Sequence, residues 1–208
     1  MLNEVYKAKR GPKALIDHFY EKVSLTESLI VVLISLVINI LFYLIIKMPN
    51  LGTVSVYEIF SSILINWFVL GVLLFLIMYF IRGAKKLPKH AFQKVLSSLA
   101  SFRIPTIIFS IITAVIFLVF LNSFIPVIQA VFQNPALINS TTLFPTLTVF
   151  NIIGIILLSL ISLFFIVYCI IMFYEFTEIV FDIKNPIGKI VLMILIFVIA
   201  ILLNSIFL

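Results

Sequence analysis

Residues Ile59–Lys89 read IFSSILINWFVLGVLLFLIMYFIRGAKKLPK: 23 residues without a charge, then four cations within eight positions. A helix rising ~1.5 Å per residue needs about 20 residues to cross ~30 Å of hydrocarbon, so the uncharged part is long enough to span a bilayer. Cations clustered at one end of such a run mark the side on which it stops. The same alternation extends along the chain, where the other uncharged runs are Leu29–Ile46, Ile104–Val127, Leu147–Tyr174 and Ile190–Leu208. Of the 208 residues 64% are apolar and 11% charged, too few polar side chains to cover a water-soluble domain. The runs are continuous rather than alternating, which argues against a transmembrane barrel and leaves helices to satisfy the backbone in lipid. The expected fold class is therefore all-α, a polytopic integral membrane bundle of five transmembrane helices. The first run is short, and Lys47 can close the gap by extending its ammonium to the headgroups. The fourth is long and is expected to tilt or to project beyond the membrane.

The cations set the orientation. Lys7, Lys9, Arg10, Lys13 and Lys22 precede the first run. Arg82, Lys85, Lys86, Lys89, Lys94 and Arg103 lie between the second and third, and Lys184 and Lys189 between the fourth and fifth. Thirteen of the fourteen Lys and Arg residues thus fall on one side, with Lys47 alone on the other. The positive-inside rule puts the N-terminus in the cytosol and the C-terminus outside. The organisation follows: a cytosolic segment 1–28, then a five-span domain 29–208 with spans near 29–46, 59–81, 104–127, 147–174 and 190–208. A basic connection, 82–103, joins the second and third spans. Asn139-Ser140-Thr141 is a glycosylation sequon in the outside loop. The first run reads as a signal anchor, since no small-residue cleavage site follows it. The net charge of +6 is explained by topology and by anionic headgroups of the cytosolic leaflet, without nucleic acid as a partner. Cys169 is the single cysteine, so no disulfide forms within the chain.

Two segments read as amphipathic helices on the cytosolic side. In Lys13–Val23 the apolar positions are Leu15, Ile16, Phe19 and Val23; in Pro88–Phe102 they are Ala91, Phe92, Val95, Leu96, Leu99 and Phe102. Pro88 suits a first helical turn. Such helices settle at the headgroup boundary, pack under the bundle, or offer a docking platform to a cytosolic partner. The basic set Arg82, Lys85, Lys86, Lys89, Lys94 and Arg103 is the candidate contact for a partner or for lipid headgroups. Glu175, Glu178 and Asp182 follow the fourth run at i, i+3, i+7 and share one helix face. They are expected either to pair with the basic connection, to be neutralised by Lys184 and Lys189, or to form a cation or partner site.

No Asp, Glu, Lys, Arg or His lies within any run, which counts against proton-coupled transport and voltage sensing. Each run instead carries an asparagine: Asn39, Asn66, Asn122, Asn151 and Asn204. They are expected to bond between helices, or to converge on a polar pocket opening outward. Gly71 and Gly154 are candidates for close helix approach, and Trp67 for packing. No catalytic residue, metal site or cofactor is assigned: His18 and His90 belong to no metal spacing, and neither a nucleophile elbow nor a P-loop occurs.

The basic connection ends KVLSSLASFRIP, Lys94–Pro105. This stretch resembles the Yip domain family, five-span membrane proteins first known as Ypt/Rab GTPase interactors. Ser101, Phe102, Arg103, Ile104 and Pro105 fill the places where members bend from an amphipathic stretch into the third span. Phe181-Asp182-Ile183-Lys184-Asn185-Pro186 occupies the family's polar turn before the last span. The paired glycines of many prokaryotic members are replaced by His90-Ala91-Phe92, and the Asp-Leu-Tyr-Gly-Pro signature of eukaryotic members is absent. Rab binding is therefore not carried over. The resemblance implies a prokaryotic or archaeal type of member in the cell membrane, a scaffold or adaptor in membrane organisation, with an oligomer and a protein partner allowed. The alternative is a small permease subunit or an oligomeric pore.

Overall fold

The computed structural model describes the backbone of residues 11–46, 56–121 and 148–207, with side chains over 11–42, 63–64, 67–83, 85–121, 148–199 and 201. Among these residues every regular element is helical. In chain order they are α1 (Pro12–Glu21), α2 (Leu25–Ile46), α3 (Val56–Arg82), α4 (Ala91–Ser101), α5 (Arg103–Ile116), α6 (Val149–Phe181) and α7 (Pro186–Phe207). A 3₁₀ turn, Ala84–Lys86, follows α3, and a π-helical turn, Phe117–Leu121, extends α5. Three stretches are long and apolar enough to cross a membrane: Leu25–Phe42, Ala91–Leu121 and Val149–Phe181. Trp67–Arg82 and Pro186–Ile199 are shorter apolar helical stretches among the described residues. The expected outside loop near 128–146, including the sequon at Asn139, lies outside the described residues.

Helix ends are set by local chemistry. Ser24 and Glu27 form a reciprocal cap: the Glu27 N–H donates to Ser24 Oγ at 3.2 Å, and the Ser24 N–H to Glu27 Oε2 at 2.9 Å. This capping box starts α2 four residues before the charge-free run. The expected helix from Pro88 begins instead at Ala91, because His90 sits in the left-handed region at φ 57 and ψ 35. Leu87 is extended at φ −68 and ψ 135, the conformation favoured before a proline, so Pro88 belongs to the turn. Gly83, at φ 72, opens that turn where a side chain would be strained. α4 and α5 meet at Phe102, three residues before Pro105. The proline cannot donate to the Ser101 carbonyl, which accounts for the break between the two helices at Phe102.

α5 and α6 run antiparallel as neighbours, held by three aromatic pairs in register. Ring centroids are 4.5 Å apart for Phe102–Phe173, 4.3 Å for Phe109–Phe165 and 5.3 Å for Phe120–Phe150. At the far end Asn151 caps α6 with Thr148 and donates from Nδ2 to the Phe120 carbonyl at 2.7 Å, serving an acceptor in the π turn. A Cβ at Gly154 would stand 2.5 Å from Phe120 Cβ, so the close approach expected of Gly154 is real. Gly71 likewise lies against the Leu96 side chain.

Burial is unequal along α6. Its residues 155–171 include no fully buried side chain, and Leu163 and Phe164 are 60% and 71% exposed. From Met172 onward the helix is packed, with Phe176 and Val180 at 0%. The surplus length of α6 therefore anchors a core. That core joins Ile16 and Phe19 of α1, Val95, Leu96 and Ala100 of α4, and Phe176 and Phe181 of α6. The amphipathic segment 91–101 does not lie on an open surface. Ala91 and Val95–Ser101 are all buried, with α1, α2 and α3 packed around them. Small residues allow this: Ser97, Ser98, Ala100 and Ser101 admit close neighbours, and Ser97 Oγ accepts from Ser28 Oγ at 2.8 Å. Trp67 Nε1 donates to the Leu96 carbonyl at 3.1 Å, which fixes α3 to α4 and accords with a packing role.

Candidate functional site

The end of the molecule formed by α1, α4, the last turns of α6 and the first turn of α7 gathers most of the described charges. α1 is placed by its apolar face on α4 and α6, which leaves Lys13 beside the acidic face of α6. Lys13 Nζ reaches Glu178 Oε1 at 2.6 Å and Glu175 Oε2 at 3.6 Å. Lys189, in the first turn of α7, bonds the other Glu178 oxygen and lies 4.4 Å from the centroid of the Tyr174 ring. Only 6% of the Lys189 side chain is exposed, against 31% for Glu178 and 51% for Lys13. The hydrogen bonds from Lys13 and then Lys189 hold the Glu178 carboxyl down at about 2. The same contact with Glu178 raises the Lys13 ammonium above its ordinary value.

The acidic triplet thus divides. Glu175 and Glu178 face cations as expected, but their partners are Lys13 and Lys189 and not the basic connection. Asp182 ends α6 in the left-handed region, at φ 58 and ψ 34, and is exposed. Aspartate tolerates this conformation better than most residues, so its role here is to stop the helix.

The basic connection divides too. Arg82 Nη2 donates to the Ile179 carbonyl at 3.1 Å, tying the end of α3 to α6. Lys94 pairs with Glu21 at 3.1 Å and lies 4.6 Å from the Tyr20 ring centroid, tying α4 to α1. Arg103 is half-buried at the start of α5. Lys85, Lys86 and Lys89 remain exposed on the turn between α3 and α4, and form no ion pair among the described residues.

Known protein families, curated proteins and solved structures yield no match to this chain.

Of the five asparagines in the apolar runs, the two with described side chains bond within helices or across one seam. Asn39 Nδ2 donates to the Ser35 carbonyl at 2.7 Å, one turn back on α2. Asn151 serves Thr148 and Phe120. The side chains of Asn66, Asn122 and Asn204 lie outside the described residues. Among the described residues no three His, Cys, Asp or Glu side chains are grouped to hold a metal ion. A carboxylate kept ionised by two ammonium groups is a poor proton acceptor, so Glu178 suits a clamp joining three helices. The sequence reading missed Lys13 and Tyr174 as members of this cluster. Tyr174 carried a signal, standing one residue before the acidic triplet, but the approach of Lys13 had none.

Proposed function

We propose that this chain is a non-catalytic membrane scaffold of five spans, with its N-terminus cytosolic and its C-terminus outside, in the outline of the Yip domain family. The charged end is its cytosolic layer. The observation that carries this reading is the division of the cations there. Arg82, Lys94, Lys13 and Lys189 are consumed in holding helices together, while Lys85, Lys86 and Lys89 stand free on a turn shaped by Gly83 and His90. A rigid layer presenting three unpaired lysines suits anionic headgroups or an acidic face of a protein partner. Each lysine near an anionic leaflet contributes ~1 kcal/mol, so three supply about 3 kcal/mol.

Transport would instead need a polar path through the helices. Asn39 and Asn151 direct their amides to helix backbone and to Thr148, which favours the scaffold. The test is affinity capture of the tagged full chain from native membranes beside the Lys85→Gln/Lys86→Gln/Lys89→Gln variant, with proteoliposome flux measured in parallel. The scaffold reading expects a co-purifying protein or anionic lipid that the variant loses while Trp67 emission stays unchanged. Solute flux above that of empty vesicles, unaffected by the triple change, would establish transport in its place.

A further inference from the structure

Along the α5–α6 seam, a groove of about 250 Å³ is lined almost wholly by apolar side chains, among them Leu15, Ile104, Ile108, Ile112, Phe164 and Tyr168. Its α5 wall runs from Ile104 to Ile112, a rise of ~12 Å, close to the depth of one leaflet's hydrocarbon, about half of ~30 Å. The groove begins at α1, through Leu15, and descends along the apolar part of α6. Ile108 and Phe164 are 53% and 71% exposed, so the groove is open along its length to whatever surrounds the helices.

Its α1 end is not apolar. His18 and Lys22 follow Leu15 at i+3 and i+7, on the same face of α1. The Lys22 N–H still donates to the His18 carbonyl at 2.9 Å, so the helical path persists to that residue. Lys22 is exposed and has no ion pair among the described residues. Of the acids nearby, Glu21 is held by Lys94, Asp17 falls on the opposite side from Leu15, and Glu27 at the start of α2, which lies close enough to His18 to feel its charge, accepts from the Ser24 N–H and hydroxyl. An occupant with one extended apolar chain and an anionic head matches both ends.

We infer that the α5–α6 groove holds one acyl chain of an anionic phospholipid of the cytosolic leaflet, with its phosphate over His18 and Lys22. This site is separate from the Lys85, Lys86 and Lys89 turn, and it rests on the membrane reading above. The probe is native mass spectrometry of the detergent-solubilised full chain mixed with phosphatidylglycerol or phosphatidylcholine. The wild type is expected to retain one phosphatidylglycerol in preference to phosphatidylcholine. Lys22→Gln should lower that preference about fivefold and leave phosphatidylcholine retention unchanged. Ile108→Trp fills the groove from its exposed side and should abolish retention of both lipids without changing the melting temperature. Ile112→Trp, at a second half-open position, replaces it if the first variant fails to fold. Equal retention of the two lipids by the wild type, an unmoved preference in Lys22→Gln, or full retention by a groove-filled variant would overturn the inference. Lipid retention in detergent does not depend on which way the chain is threaded. Terminal tags that contradict the orientation would thus sink the membrane reading alone, and lost retention would sink the groove alone.

Discussion

Glu178→Gln keeps the shape of the side chain and removes its charge, leaving Lys189 with 6% of its side chain exposed and no bonded carboxylate, only the longer-range attraction of Glu175. Lys189 also stands in the first turn of α7, where the free N–H groups carry partial positive charge and repel an ammonium. Removing one partner of a fully buried pair costs about 3–5 kcal/mol. Glu178 is 31% exposed, so water screens part of the interaction, and the Tyr174 face still attracts the ammonium. Discounting for both leaves about 2 kcal/mol. The Lys13 half of the bridge is far more exposed, so Lys13→Gln should cost only about 0.5 kcal/mol. Lys189→Met removes the buried charge altogether and should be close to neutral. For a chain of this size 1 kcal/mol moves the melting temperature by about 2–4 °C. Glu178→Gln should therefore melt roughly 4–8 °C lower, Lys13→Gln about 1–2 °C lower, and Lys189→Met near the parent. The assay is thermal unfolding in one detergent, followed by far-UV circular dichroism and by emission from Trp67, the single tryptophan. Equal losses for Glu178→Gln and Lys13→Gln, or a loss in Lys189→Met as large as in Glu178→Gln, would refute the reasoning.

Further outcomes follow from the same geometry. The Glu178 carboxyl lies at about 2 in the folded chain against 4.5 for a free side chain, so below 4.5 the unfolded state takes up a proton first. Its contribution should be complete above that value and fade as the pH falls towards 2; acid unfolding of Glu178→Gln should lack this component. Ser24→Ala breaks the cap on α2 and should cost about 1 kcal/mol, read as a lower melting temperature with native helix content. Asn151→Leu breaks the α6 capping box and strands the partly buried Phe120 carbonyl, for a loss of about 1–3 kcal/mol. If Asn151 instead lined a solute path, that variant would change flux and leave stability untouched.

The positions of the helices were legible because apolar runs this long leave the backbone little alternative to a helix. Their ends were less so. The α2 start depends on Ser24 and Glu27, a capping signal visible in the sequence and overlooked beside the stronger charge-free run. The α4 start depends on a left-handed His90, for which the sequence carries no comparable marker. Amphipathic spacing gave the apolar set of α4 but not its surroundings. The serines between those positions are the small residues that let neighbouring helices close around it. Ion pairing was the least legible layer. Lys13 and Glu178 are 165 residues apart, and only the packing of α1 against α6 brings them together. Nearness in sequence pointed to Lys184 and Lys189, and Lys189 does meet Glu178; a shared membrane side pointed to the connection 82–103, but Arg82 and Lys94 meet Ile179 and Glu21 instead.

Reporter tags at the two chain ends, probed in sealed membranes with a reagent that cannot cross lipid, test the threading on which the cytosolic layer depends. The N-terminal tag should react only after the membrane is opened from the cytosolic side, and the C-terminal tag in intact cells. Both tags on one side would mean an even number of crossings and contradict the five-span account.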